Sequence, residues 1–134
     1  MKDQNDDSPE AYGCVLLVDH EGSQVWIATK VKTQFDKFDE ASREKLKAHM
    51  ELWCEERPLT KEMFNGNEGR SKRGIMIKAF KNYQIRLYGF ERQIAGIRTF
   101  PIVDCDPAKK RDDAKQTILK RAKKRADSFG KEKK

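Results

Sequence analysis

Residues 74–111, GIMIKAFKNYQIRLYGFERQIAGIRTFPIVDCDPAKKR, are the only long segment of this 134-residue chain that reads as consecutive β-strands. Alternation over 75–80 puts Ile75 and Ile77 on one face, and Met76, Lys78 and Phe80 on the other. Lys81-Asn82 is expected to form a two-residue turn, because asparagine tolerates left-handed backbone. Over 83–90, Tyr83, Ile85 and Leu87 share one face, and Gln84, Arg86 and Tyr88 share the other. A third run, 93–103, carries Arg98 in its middle, and Pro101 marks a bulge or an edge. The expected product is an antiparallel meander with one face packed on a helix and the other lined by Lys78, Arg86 and Tyr88. Lys81 and Arg98 lie along the same segment, and Lys109, Lys110 and Arg111 close it.

The flanks supply the support. Phe35, Phe38, Ser42, Leu46, Met50 and Trp53 recur at spacings of three and four, so 33–57 is expected to be one long amphipathic helix ended by Pro58. Residues 65–73, NGNEGRSKR, have no apolar side chain and read as a loop projecting Arg70, Lys72 and Arg73. Upstream, 12–18 and 24–31 are extended runs around a turn at Gly22. Downstream, 112–129 returns to helical period, with Ala114, Ile118, Ala122, Ala126 and Phe129 as a narrow apolar stripe on a basic helix. The fold class is therefore α+β: a small antiparallel sheet, a long amphipathic helix against it and a basic C-terminal helix. Residues 1–10 read as a disordered acidic leader, 11–129 as a single domain and 130–134 as a basic tail.

Charge narrows the partners. The chain has a net charge of +7, and 106–134 alone holds 12 Lys/Arg against 5 Asp/Glu, an excess equal to that of the whole. Concentration in one terminal segment points to a polyanion; the plainer alternative is a solvated helix face with a solubilising tail. No apolar run approaches membrane-spanning length, and no signal peptide precedes the first strand, so a cytoplasmic protein without a membrane partner is expected. Cys14, Cys54 and Cys105 are odd in number and widely spaced, and His20 and His49 stand apart, so neither disulfides nor a metal site is expected. Nothing in the chain calls for a cofactor.

The order of helix, Asn/Gly loop, meander, lysine pair and basic helix resembles the RelE/HigB/ParE toxin superfamily, in particular its phage-derived HigB-like group. The resemblance covers about 26–129 and rests on PLTKEMF before the loop, FKNYQIRLYGF in the meander, and AKK at 108–110 ahead of an alanine-spaced basic helix. It implies a small α+β toxin of a type II toxin–antitoxin system that cleaves mRNA at the ribosome and is silenced by a cognate antitoxin. The toxin itself is expected to be monomeric. By position it implies functional roles for Arg86 in YQIRLY, for Lys109 and Lys110, and for Lys78 on the preceding strand. This chain departs from its relatives where several carry a histidine or an aromatic residue near the lysine pair; it has Asp104-Cys105-Asp106-Pro107 instead. ParE-type members act on gyrase, so a gyrase-directed toxin and a non-catalytic nucleic-acid- or protein-binding module stand as alternatives.

A metal-independent ribonuclease must deprotonate a 2′-hydroxyl, stabilise charge at phosphorus and protonate the departing 5′-oxygen. His20 in a turn and His49 in a helix are not obvious candidates. Arg86 can offer two parallel hydrogen bonds to a phosphate. Crowded lysines titrate closer to neutrality, which makes Lys109 or Lys78 the expected acid or base. Tyr88 is expected to stack on a base, and Lys81, Arg98, Lys110 and Arg111 to bind RNA. The plainer reading of Arg86 and Lys78 is the solvated face of a half-buried sheet.

Overall fold

The computed structural model describes residues 8–107 and 112–129, with side chains given from Gln116 onward in the last segment. The chain is α+β. Its strands are β1 (Cys14–His20), β2 (Ser23–Ala28), β3 (Phe64–Asn65), β4 (Lys78–Asn82), β5 (Ile85–Gly89), β6 (Arg92–Ile94) and β7 (Ile97–Pro107). Its helices are α1 (Thr29–Phe35), α2 (Glu40–Cys54) and α3 (Asp112–Ser128). The strands form one sheet in the order β1-β2-β7-β5-β4-β3, with β6 also paired to β7. β2 runs parallel to β7, and every other pairing is antiparallel. The expected meander is thus part of a larger mixed sheet, which the N-terminal hairpin joins alongside β7.

The single helix expected over 33–57 is two helices, broken between Phe35 and Glu40. Lys32 closes the last turn of α1 on Asp36 at 2.9 Å, and Arg43 reaches back from α2 to the carbonyl oxygens of Asp36 and Phe38. Those carbonyls would otherwise lack partners at a helix end. Pro9 and Glu10, expected within the acidic leader, belong to a 3-10 turn over Pro9–Tyr12, and Tyr12 stacks on Phe129 at 4.3 Å; residues 1–7 lie outside the described residues.

Both faces of the sheet are covered, which corrects the expectation of one solvated face. On the first face, Leu46, Met50 and Trp53 of α2 and Val31 and Phe35 of α1 pack on Phe80, Leu87, Phe100 and Ile102. Rings of Trp53, Phe64, Phe80 and Phe100 interlock there, with Phe80 and Phe100 centroids 4.8 Å apart. On the second face, Ala122, Ala126 and Phe129 of α3 seal Ile77, Ala79, Tyr88, Phe90 and Val103. The alanines bring the helix close to the strands, so a stripe that is narrow in sequence covers a whole sheet face.

The turns also shift. β4 runs through Lys81 and Asn82, and the turn is Tyr83-Gln84, with Tyr83 at φ 56°. The third run folds back at Ala95-Gly96, whose φ values of 53° and 81° suit a tight hairpin between β6 and β7. Pairing of β5 with β7 slips between Tyr88 and Gly89, which leaves Val103 as the extra residue. Pro101, where a bulge or an edge was expected, pairs in regular register with Trp26 inside the sheet. The three cysteines are buried free thiols, and burial pushes Cys14 and Cys54 up to about 11 and Cys105 up to about 12. Among the described residues no helix is long and apolar enough to cross a membrane.

Candidate functional site

The β4–β5 hairpin places Lys81 directly across from Arg86, so two cations share one face at the end of the sheet. Beyond them the turn exposes Tyr83, 88% accessible. A cleft of about 380 Å³ opens here, between the hairpin, α2 and the segment that leads into β3. Lys45 and His49 of α2 line it together with Lys81, Tyr83 and Arg86.

His49 is 7% exposed, and its Nδ1 lies 3.0 Å from the backbone carbonyl of Lys81. A carbonyl oxygen only accepts, so Nδ1 carries the proton and donates it. Nε2 is left with its lone pair and no partner among the described residues. Burial holds the ring below the ordinary imidazole pKa; the bond to Lys81 opposes that shift, and the charge of Lys45 adds to it. At neutral pH His49 is therefore an uncharged base of fixed tautomer. Lys81 is anchored as well, its Nζ donating to the carbonyl of Lys61 at 2.7 Å.

Arg86 is half-buried and pairs with Glu68 at 3.7 Å. Asp106 lies opposite it in β7, and Asp104 opposite Tyr88. Asp104 is already neutralised: Arg121 donates to it through Nε at 2.6 Å and through Nη2 at 2.9 Å, Arg125 lies at 3.3 Å, and the Cys105 amide donates at 2.9 Å. The hydrogen bond to Asp104 raises the Arg121 pKa further. Asp104 is thus the anchor of α3 and does not repel an incoming phosphate.

Several expected site residues lie elsewhere. Lys78 falls on the face opposite Arg86, since it pairs with Gly89 in register, and it meets Glu91 at 3.2 Å. Arg98 is structural: its guanidinium stacks 3.7 Å above the Trp53 ring and bonds the Trp53 carbonyl, Ser23 and Glu91. Tyr88 has the face parity expected but is fully buried beneath α3. Its hydroxyl pKa is pushed up by burial and by Glu68 and Asp106, so it neither stacks on a base nor ionises. Lys109, Lys110 and Arg111 lie outside the described residues.

Lys45, His49 and Tyr83 are not among the expected site residues, His49 having been set aside as a helix residue, and neither is Glu62, an acid that also lines the cleft. The sign of His49 was there to be found, because 46, 49, 50 and 53 share a helical face and a histidine within an apolar stripe needs a partner. His20 does not join the cleft; it lies 3.6 Å from Glu55. Among the described residues no group of three or more His, Cys, Asp or Glu side chains is placed to hold a metal ion. Comparison with protein-family models, with curated proteins and with solved structures finds no match for the chain.

Proposed function

We propose that this protein is a RelE/HigB-type toxin of a type II toxin–antitoxin system, a metal-independent endoribonuclease that cuts mRNA at the ribosome. One observation carries the reading: a neutral histidine with a free Nε2 lines the same cleft as Arg86 and Lys81. His49 Nε2 takes the proton of a 2′-hydroxyl, and the 2′-oxygen attacks the adjacent phosphorus. Arg86 donates to the non-bridging oxygens as charge develops there. The P–O5′ bond breaks, and an ammonium of the cleft, Lys81 or Lys45, protonates the departing oxygen. The products are a 2′,3′-cyclic phosphate and a 5′-hydroxyl. Tyr83, held out at the turn, offers a ring on which a base can stack. The ribosome supplies the positioning of the message.

Further support comes from chain order, in which α1 and α2 precede the β4–β5–β7 meander and α3 follows it. In this reading α2 is the amphipathic support and α3 the basic arm. Lys109 and Lys110 keep the functional roles that the resemblance gives them. The partner in the cell is an antitoxin whose acidic or amphipathic segment covers the cations, and the toxin is cytoplasmic. A second reading, a non-catalytic RNA-binding module, is favoured by the Glu68–Arg86 pair, because an arginine already held by a carboxylate has less to give a phosphate.

Mapping the 5′ ends of translated messages after induction separates the two. Wild type is expected to create new ends, and Arg86→Ala to reduce them about 100-fold or more, the usual scale for losing one charge-stabilising donor. Identical end patterns from wild type and variant would sink the proposal.

A further inference from the structure

A second cleft, of about 600 Å³, lies between the loop preceding β4 and the outer side of α3. Arg70 and Lys72 come from the loop, and Lys120, Arg121, Lys123 and Lys124 from the helix. The only acid lining it is Asp127, and that carboxylate is engaged: Ser71 Oγ donates to it at 2.5 Å and the Arg73 amide at 3.3 Å. Arg73 Nη1 also donates to the Asp127 carbonyl at 2.8 Å. These bonds clamp the loop onto α3, so the cations face one another across a built gap rather than from a floppy segment. Gly69 allows the closest approach, since a Cβ there would sit 3.1 Å from Lys123 Nζ. Arg121 is shared with Asp104, but Lys72, Lys120, Lys123 and Lys124 have no carboxylate at ion-pair distance among the described residues. Crowded, unneutralised cations repel one another until an anion enters.

We propose that this cleft binds the phosphodiester backbone of single-stranded RNA, as a track separate from the Arg86 cleft. The RNA assignment rests on the proposed function; the anion chemistry does not. The methylene stems of lysines and arginines make much of the cleft wall, but no aromatic or branched side chain shapes an anchor pocket there. The excess of cations favours a phosphate chain over an amphipathic peptide helix. Lys120, Lys123 and Lys124 recur at spacings of three and four on α3, so they share one side of the helix, and cations presented in that way contact phosphates without reading bases. The loop also connects the two sites: Glu68 holds Arg86, and Arg70 and Lys72 follow it on the way to α3.

The test is a binding titration of the full chain with a short 2′-O-methyl oligoribonucleotide, which cannot be cut, over a series of salt concentrations. Binding is thereby measured whether or not the protein cleaves RNA. Lys120→Gln/Lys124→Gln is expected to weaken binding at low salt at least tenfold. It is also expected to flatten the slope of log affinity against log salt by about 1.4, since each single-strand phosphate contact contributes about 0.7. Lys72→Gln, from the loop side, is expected to flatten it by about half as much. Unchanged affinity and slope in both variants would overturn the proposal, even for a protein that cuts messages. Displacement of the oligonucleotide by polyglutamate at equal charge concentration would also overturn it, marking the cleft as a site for acidic peptides.

Discussion

His49→Gln is expected to lower the rate of message cleavage by about 10²- to 10⁴-fold, the usual share of a general base. Glutamine fills similar space but places its amide at the Nε2 rather than the Nδ1 position, so the bond to the Lys81 carbonyl is lost at a cost of about 1 kcal/mol, and the basic lone pair goes with it. A pH–rate profile gives the sharper sign. Because burial depresses the His49 pKa, the wild-type rate is expected to fall only as pH drops below the ordinary imidazole range, about 6.5, and this acid limb vanishes in the variant. Linkage runs the same way. The unfolded chain binds the proton more readily than the folded one, so His49 contributes stability above about pH 6.5 that is lost as pH falls through its folded value. A glutamine variant within threefold of wild type at neutral pH would remove His49 from the chemistry.

Gly89→Ala is expected to be the most damaging single methyl in the protein. A Cβ at Gly89 would stand 2.3 Å from the Pro101 carbonyl oxygen and 2.5 Å from Phe100 Cε1. The carbonyl belongs to β7, which lies between β2 and β5 and cannot yield without moving both neighbours. The expected loss is at the upper end of the 1–3 kcal/mol typical of overpacking, about 3 kcal/mol or more. Urea unfolding measures it. Gly66→Ala is the control: its Cβ would meet only Phe64 Cε2, at 3.9 Å, and the change is expected to stay within about 0.5 kcal/mol. Equal stability of the two variants would show that β5 and β7 do not approach as closely as described.

Strand parity in β5 was legible because alternation is a local property. Ile85 and Leu87 pack toward α2, while Arg86 and Tyr88 take the other face, with Arg86 at the end of the strand still bordering the cleft that His49 lines. What lay above the second face was not legible. A helix of alanines and lysines looks solvent-loving in sequence, yet alanine is the residue that lets it lie close on the sheet. That is why Tyr88 reads as exposed and is buried. The turn was misplaced, because an Asn at 82 suggested it whereas the chain turns on Tyr83 in left-handed backbone. That does not account for Lys78: a turn at 81–82 would pair it with Ile85 and the observed one pairs it with Gly89, and both registers put it on the face opposite Arg86. Arg98 shows the reverse difficulty, since its partners Ser23, Trp53 and Glu91 come from distant parts of the chain. His49 reached Lys81 across 32 residues of sequence, a meeting that only the packing of α2 beneath the hairpin could bring about.

The chemistry of the cut ends tests the central claim most directly. Messages from cells expressing the protein are ligated to an adaptor with and without prior kinase treatment, and their new 5′ ends are counted. Attack by a 2′-oxygen leaves a 5′-hydroxyl, so the expected result is ends that ligate only after kinase treatment, that fall with Arg86→Ala, and that fall again with His49→Gln. Ends that carry a 5′-phosphate, or no new ends at all, would contradict it.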